Sequence, residues 1–204
     1  VNFYEGATPG SPNSPSQYTG PLLNEVMARN ATAVTNAAGR IADWIELYNP
    51  LATGFNLAGM SLSVERSQPR EWVFPAGTAI GARGYLVVWC DPELPPSITH
   101  GSVLNLGRGL EGESGAVCLF DANNQLVDAV EYGFQIANQS IGMSGSSWRL
   151  METSTPGASN AVFAPLGLTT HLRINEWMAD PVRGNDWFEI YNGDSLPVQL
   201  TGVY

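Results

Sequence analysis

The stretch that decides the fold is Asp43-Trp44-Ile45-Glu46-Leu47-Tyr48-Asn49, a short apolar run with a carboxylate at its centre. In a β-strand, successive side chains point to opposite faces of the sheet. Trp44, Glu46 and Tyr48 therefore share one face, and the two aliphatic residues between them share the other. Because both faces carry apolar side chains, we predict that this segment is a strand in the interior of its sheet.

Further strand candidates surround this stretch. The chain contains 22 glycines and 14 prolines, which separate short runs rich in Val, Ile, Leu and aromatic residues. No segment shows the i, i+3, i+4, i+7 pattern of an amphipathic helix. Short apolar runs separated by turn residues are typical of β-sandwiches and barrels, so we predict an all-β fold. The predicted strands are Leu22–Met27, Trp44–Tyr48, Leu57–Val64, Glu71–Phe74, Tyr85–Cys90, Ala116–Asp121, Leu126–Tyr132 and Ser147–Leu150.

The deciding stretch occurs twice. It returns as Asp186-Trp187-Phe188-Glu189-Ile190-Tyr191-Asn192, and the upstream Asn24-Glu25-Val26-Met27-Ala28 returns as Asn175-Glu176-Trp177-Met178-Ala179. Self-similarity of this kind indicates repeated modules. We predict one β-sandwich at 21–162, a linker at 163–171, and the truncated start of a second copy at 172–204.

The N-terminal segment has a different composition. Residues 1–20 are rich in Pro, Ser and Gly, and we predict a linker or the tail of a preceding module. Within it, Thr8-Pro9-Gly10-Ser11-Pro12-Asn13 resembles Thr155-Pro156-Gly157-Ala158-Ser159-Asn160, which closes the complete domain. The chain begins at Val1 without a signal-peptide pattern, so we expect it to be a piece of a longer protein.

The charge balance excludes several functions. Nine basic residues, all arginine, face nineteen acidic ones, for a net charge of −10. Without lysine there is no Schiff-base or lysine-base chemistry, and an acidic protein would repel the phosphates of nucleic acid. No apolar run approaches the length of a membrane span, so we expect neither nucleic-acid binding nor membrane insertion.

The cysteines and histidines point to no metal site. Cys90 and Cys118 both lie in apolar strand candidates, where they are either two buried thiols or a disulfide between neighbouring strands. There is no CxxC spacing, and the only histidines are His100 and His171. The segment Asp121-Ala122-Asn123-Asn124 fits a hairpin turn better than a calcium loop. We predict no metal and no cofactor.

Glu46 is the one acid with a plausible chemical role. It could be a general acid with a raised pKa or a metal ligand. Alternatively, it accepts hydrogen bonds from loop backbone N–H groups while its aromatic neighbours pack beside it. Glycosidase chemistry needs a second carboxylate across a bound sugar, and Glu25 could approach. We favour the structural alternative, predict no catalytic residue, and do not expect an enzyme.

Tryptophan provides an alternative function. Six tryptophans could form a sugar-binding platform, but Trp44, Trp72, Trp89 and Trp187 lie in strand runs, which favours core packing. Exposed rings in line on one sheet would support a carbohydrate-binding module that serves a hydrolase, and burial of all six would contradict it.

The order of segments resembles the lamin tail domain family in its bacterial form. The matching segments, in order, are Leu-Asn-Glu-Val, Asp-Trp-Ile-Glu-Leu-Tyr-Asn-Pro, Asn-Leu-Ala-Gly-Met-Ser-Leu, Trp-Val-Phe-Pro-Ala-Gly-Thr, Gly-Tyr-Leu-Val-Val-Trp, Gly-Ala-Val-Cys-Leu-Phe-Asp and Thr-Pro-Gly. The resemblance covers about residues 20–162 fully and 172–204 partly. It implies an immunoglobulin-like β-sandwich and carries over no catalytic residue.

The resemblance also suggests a setting. Bacterial copies resemble accessory modules of large secreted or surface proteins, so we expect a non-catalytic structural or interaction module that is extracellular or at the cell surface. Its partner would be a protein or a cell-surface glycan. Because three strands cannot bury a sandwich core, we also expect strand-mediated self-association through 172–204.

Overall fold

The computed structural model describes residues 18–200, which lie in two compact units, one ending at Phe163 and one beginning at Ala164. The predicted linker or module tail at 1–20, with its Thr8–Asn13 motif, lies almost entirely outside the described residues. In the first unit the strands are β1 Leu22–Met27, β2 Asp43–Tyr48, β3 Phe55–Asn56, β4 Ser61–Ser63, β5 Trp72–Val73, β6 Ala79–Ile80, β7 Tyr85–Cys90, β8 Leu104–Asn105, β9 Gly115–Phe120, β10 Leu126–Tyr132, β11 Ile141–Ser144 and β12 Ser147–Leu150. The second unit has a 3₁₀ turn at Thr169–His171 and the strands β13 Leu172–Met178 and β14 Trp187–Asn192.

The first unit is a sandwich of two sheets. One sheet has six strands in the order β12-β11-β1-β2-β7-β8, and the other has four in the order β10-β9-β4-β5. All pairs are antiparallel except β7 with β8. The prediction of an all-β, immunoglobulin-like β-sandwich is confirmed. The interior position predicted for β2 is also confirmed, because β2 lies between β1 and β7.

The core explains why β2 is apolar on both faces. Ile45 and Leu47 are fully buried in the large cluster between the two sheets. Trp44 is also fully buried, but it packs with Met27 and Trp89 in a second cluster on the opposite face of the six-stranded sheet. Loops cover that outer face, so strand alternation places one apolar layer inside the sandwich and another beneath the loops.

One predicted strand was too long. The segment predicted as Leu57–Val64 pairs only over Ser61–Ser63, because a turn occupies its first half. The N–H of Met60 donates to the carbonyl of Leu57 at 2.9 Å, and Gly59 has a φ of 86°, which a strand residue does not adopt. The strands β3, β6 and β8 were missed because two residues are too few to show alternation. The four-residue β11 was also missed, because it contains Gly142 and is followed by Gly145, and glycines are typical of turns.

The cysteines are buried thiols in different sheets. Cys90 is on β7 and Cys118 is on β9, and both are unbridged. Val117 and Leu119 belong to the core between the sheets, so Cys118 points away from that core. Burial raises the pKa of both thiols. The disulfide alternative is therefore wrong for this structure, and the buried-thiol alternative is confirmed.

The second unit is built on a single hairpin. Strands β13 and β14 pair antiparallel, with a register shift between Ile174 and Glu176. Its side chains are mostly open to solvent, including Trp177 at 71% and Phe188 at 67% exposure. The hairpin thus has regular antiparallel pairing, but its described side chains form no buried core of their own.

Candidate functional site: a buried carboxylate pair under a closing loop

Glu25 and Glu46 form the most unusual chemical feature of the first unit. They are direct cross-strand partners on β1 and β2, and both have 0% exposure. A register shift between Leu23 and Glu25 accompanies this pairing. Two acids side by side in a sheet interior repel each other and lose hydration, so they need dedicated hydrogen-bond donors.

The donors of Glu25 come from two segments. The hydroxyl of Ser140 donates to its Oε1 at 2.5 Å. The backbone N–H of Thr155 donates at 3.1 Å, and the Thr155 hydroxyl donates to Oε2 at 2.8 Å. Both oxygens of Glu25 are therefore satisfied by the chain itself.

Glu46 is held by its neighbour on β1 and by the same loop. The Asn24 side-chain amide donates to Oε1 at 2.7 Å, and the backbone N–H of Gly157 donates to Oε2. This is the arrangement that the structural alternative predicted for Glu46, a carboxylate bound by a loop backbone N–H. Its predicted aromatic neighbours lie on the same face, since Trp44 and Tyr48 are two residues away on β2.

The donor segment Thr155–Asn160, which we call the closing loop, joins three strands. Its Asn160 side-chain amide donates to the carbonyl of Asn24 on β1 at 2.9 Å and to that of Met143 on β11 at 3.0 Å. A turn within the loop is closed by the N–H of Ala158 donating to the carbonyl of Thr155 at 2.9 Å. The loop therefore fastens both carboxylates and the strands that carry them.

The pair has a perturbed proton affinity. Burial raises the pKa of Glu46 to about 7, with a smaller contribution from the charge of Glu25, against the effect of its two hydrogen bonds. Burial also raises the pKa of Glu25, although the bonds from Ser140 and Thr155 oppose this. The pair therefore loses its protons at a higher pH than free carboxyl groups do.

The buried Asp128 and the half-buried Asp43 follow the same principle. Asp128 on β10 accepts the backbone N–H of Leu23 on β1 at 2.9 Å and so links the two sheets. Asp43 accepts the N–H of Asn30 at 2.9 Å and that of Leu110 at 3.2 Å. Burial raises the pKa of both acids. Buried carboxylates in this unit thus anchor loops and strand edges that would otherwise have unpaired N–H groups.

The arrangement of Glu25 and Glu46 differs from the glycosidase arrangement considered for Glu46. Glycoside hydrolysis requires two carboxylates that flank a bound sugar, whereas Glu25 and Glu46 lie side by side, fully buried, with their oxygens already engaged. Within residues 18–200, no group of three or more His, Cys, Asp and Glu side chains is placed to hold a metal ion. Asp121 caps its own turn, because its Oδ1 accepts the N–H groups of Asn123 and Gln125, both at 2.8 Å.

The tryptophans are divided between the two units. Trp44, Trp72 and Trp89 are buried, and Trp148 packs against the core from its edge. In the second unit Trp177 is 71% and Trp187 is 44% exposed. Trp177 pairs with Phe188 and Trp187 with Met178, so the two indoles occupy successive cross-strand pairs and point to opposite faces.

The partners of the carboxylates are not evident from the sequence. Glu46, Glu25 and the two Thr-Pro-Gly segments are recognisable as local features, but no local pattern connects them. Ser140, Thr155 and Asn160 are far from Glu25 in the chain, and no local pattern marks such contacts. The available signal was the co-occurrence of one Asn-Glu, one Asp-Trp-x-Glu and one Thr-Pro-Gly-x-x-Asn in the complete domain.

The second hairpin has an equivalent glutamate pair that is exposed to solvent. Glu176 and Glu189 are cross-strand partners, and the Asn175 side-chain amide donates to Glu189, as Asn24 does to Glu46. The two equivalent aspartates also accept similar bonds: Asp186 accepts the N–H of Asp180 at 2.9 Å, and Asp43 accepts that of Asn30 at the same distance, from a donor one position further along the repeat. Both Glu176 and Glu189 are exposed. The hairpins thus share geometry and differ in what covers them.

Comparison with known proteins agrees with this architecture. No helix among residues 18–200 is long and apolar enough to cross a membrane. No curated protein and no solved structure matches the chain. The profile of the lamin tail domain matches residues 14–134, more than half of the 204-residue chain, and ends before β11 and the closing loop. The first unit has the two-sheet, immunoglobulin-like arrangement of that family, and the chain belongs to the lamin tail domain family.

Proposed function

We propose that the chain is a non-catalytic structural or protein-interaction module of a larger bacterial protein that is secreted or displayed on the cell surface. One observation carries the proposal: Glu25 and Glu46 are fully buried cross-strand partners, and donors from the closing loop, Ser140 and Asn24 occupy their carboxylate oxygens. These groups stabilise the sandwich and reach no open cleft. The lamin tail domain family is non-enzymatic, which supports this reading.

The partner would be a protein or a cell-surface glycan. With a net charge of −10 and no lysine, the protein would repel other polyanions at long range and favours partners with neutral or basic surfaces. We also propose that the hairpin β13–β14 is the beginning of a second lamin-tail-like domain. Its support is the shared register and the recurring hydrogen bonds of the two hairpins.

A turnover assay tests the non-catalytic part of the proposal. The full chain and its Glu46→Gln variant are incubated with chromogenic glycosides, esters and phosphates between pH 5 and 8, a range spanning the raised pKa of Glu46. We expect both proteins to match the buffer blank with every substrate. Turnover by the wild type that disappears in Glu46→Gln would overturn the proposal.

The setting is tested on cells. Antibodies against the chain should label intact, unpermeabilised cells of the source organism or detect the parent protein in the culture medium. Signal only after lysis would contradict an extracellular or surface location.

A carbohydrate-binding module that serves a hydrolase is the second candidate, with less support. Trp177 and Phe188 are exposed cross-strand neighbours that could contact one sugar ring, but the other exposed indole, Trp187, is on the opposite face. Titration with soluble peptidoglycan fragments and oligosaccharides, with Trp177→Ala as the control variant, tests it. Binding that is lost in Trp177→Ala would favour the glycan partner.

A further inference from the structure

The closing loop shows which hydrogen-bond donors bind a pair of carboxylates in this fold. In the first unit the motif Thr-Pro-Gly-x-x-Asn contacts the pair through two positions and the neighbouring backbone of β1 through a third. Thr155 donates its N–H and its hydroxyl to Glu25, Gly157 donates its N–H to Glu46, and Asn160 donates to the carbonyl of Asn24. The remaining positions provide spacing and the turn.

The second unit has a glutamate pair equivalent to the one that this motif binds, but residues 164–200 contain no copy of the motif. Glu176 pairs with Glu189 in the register that Glu25 shares with Glu46, and the strand shifts register just before the first glutamate in both hairpins. Both acids are exposed. Among residues 164–200, Asn175 is the only donor that hydrogen-bonds to either carboxylate. This surface, which we call the open pair, is defined by Asn175, Glu176 and Glu189.

The chain carries a second copy of the donor motif outside the described residues. Thr8-Pro9-Gly10-Ser11-Pro12-Asn13 has Thr, Pro, Gly and Asn at the spacing of the closing loop. The two positions that differ are compatible with its role. Ser11 keeps the N–H that Ala158 uses in the turn. Pro12 replaces Ser159, whose N–H makes none of the bonds to the carboxylates.

We propose that the Thr8–Asn13 segment of one copy docks on the open pair of a second copy, with Thr8 on Glu176 and Gly10 on Glu189. The segment brings N–H and hydroxyl donors and no acidic side chain to two exposed carboxylates. Donor and acceptor surfaces lie in different parts of the chain, so the contact is heterologous and builds head-to-tail assemblies. The inference rests on the proposed interaction role and names its surface and ligand.

Sedimentation of the full chain tests the docking. We expect the average mass of the wild type to rise with concentration, and a synthetic peptide of residues 5–16 to reverse the rise. In the closing loop Gly157 has a φ of 84°, a conformation that β-branched residues do not tolerate. Gly10→Val should therefore weaken association by at least about tenfold. Gly6→Val, in the same segment but outside the motif, is the matched control and should associate like the wild type.

A second variant addresses the acceptor. Glu189→Ala should weaken association as Gly10→Val does, whereas Glu113→Ala on the exposed surface of the first unit should not. A wild type that is monomeric at high concentration and does not bind the peptide would overturn the docking. So would association that is unchanged in Gly10→Val and Glu189→Ala, which would point to direct pairing of two apolar hairpins. Either outcome leaves the turnover assay, and the proposed non-catalytic role, untouched.

Discussion

The hairpins β1–β2 and β13–β14 have the same design and opposite surroundings. Glu25 pairs with Glu46 and Glu176 with Glu189, each beside an asparagine that donates to the second glutamate. In the first hairpin both acids are fully buried, and in the second both are exposed. Local sequence therefore specifies the pairing and the register shift, while burial, electrostatics and stability come from distant segments. For the first two experiments below, the second hairpin also provides the control position.

The largest difference should appear when equivalent apolar positions are truncated. Ile45 is fully buried on β2, and Phe188 occupies the same place on β14 with 67% exposure. Ile45→Ala should lower the free energy of unfolding by about 2–5 kcal/mol, since it removes buried methyl groups and leaves a cavity. Phe188→Ala should change it by less than about 0.5 kcal/mol.

Urea unfolding followed by near-ultraviolet circular dichroism measures both variants. Equal losses would show that the second hairpin is covered in solution, and the comparison between open and closed hairpins would fail. The docking proposed above involves the carboxylates, so it predicts only a small effect for Phe188→Ala.

A pH dependence should distinguish the two carboxylate pairs. The pKa of Glu46 is raised from 4.5 to about 7, so the folded state binds a proton more tightly than the unfolded chain. The free energy of unfolding should therefore decrease as the pH rises from 4.5 to 7 and become flat above, by up to about 3 kcal/mol. Glu25 contributes in the same direction because its pKa is also raised.

Urea midpoints measured across that range test the linkage. Glu46→Gln cannot titrate, so its slope should be shallower than that of the wild type. A remainder is expected from Glu25, Asp43 and Asp128, whose pKa values burial also raises. Glu189→Gln is the matched control at the equivalent exposed position and should keep the wild-type slope. A wild-type curve that rises between pH 4.5 and 7 would have the wrong sign for a buried acid whose pKa is raised.

The hairpins also show what the sequence could predict. The pattern of Asp43–Tyr48 predicted an interior strand, because a strand that is buried on both sides has apolar side chains on both of its faces. Four strands, β1, β7, β10 and β12, have the predicted bounds. The strands β3, β6 and β8 have two residues each and were too short to show such a pattern. Leu57–Met60 was predicted as strand because a buried turn can be as apolar as a strand.

The candidate site was predictable only in part. Glu46 was recognisable because an acid between aromatic residues must have a partner, and a loop backbone N–H was the partner predicted. The identity of that loop depends on contacts such as Gly157 with Glu46 and Thr155 with Glu25, which join distant parts of the chain. The repeat indicates that the closing motif and the glutamate pair belong together, because each of them is present twice in the sequence.

The smallest effect should come from the backbone of the closing loop. Gly157 has a φ of 84°, and no atom lies within 4 Å of the position that a Cβ would take. Gly157→Ala therefore meets no clash but forces a left-handed conformation on an L-residue, which costs about 1 kcal/mol. Gly133→Ala is the matched control, since its Cβ also meets open space and its φ is not positive.

Amide hydrogen exchange gives this prediction a local readout. If the loop fastens the carboxylates, Gly157→Ala should speed exchange at Thr155 and at residue 157 more than it lowers the urea midpoint, because opening the loop exposes these two donors first. Whenever the loop opens, the Oε2 atom of Glu46 loses the N–H donor of residue 157. Glu46 then resembles Glu189, which accepts a hydrogen bond from Asn175 but none from a closing loop. Exchange that accelerates uniformly over the first unit would show instead that the loop is an inseparable part of the sandwich core.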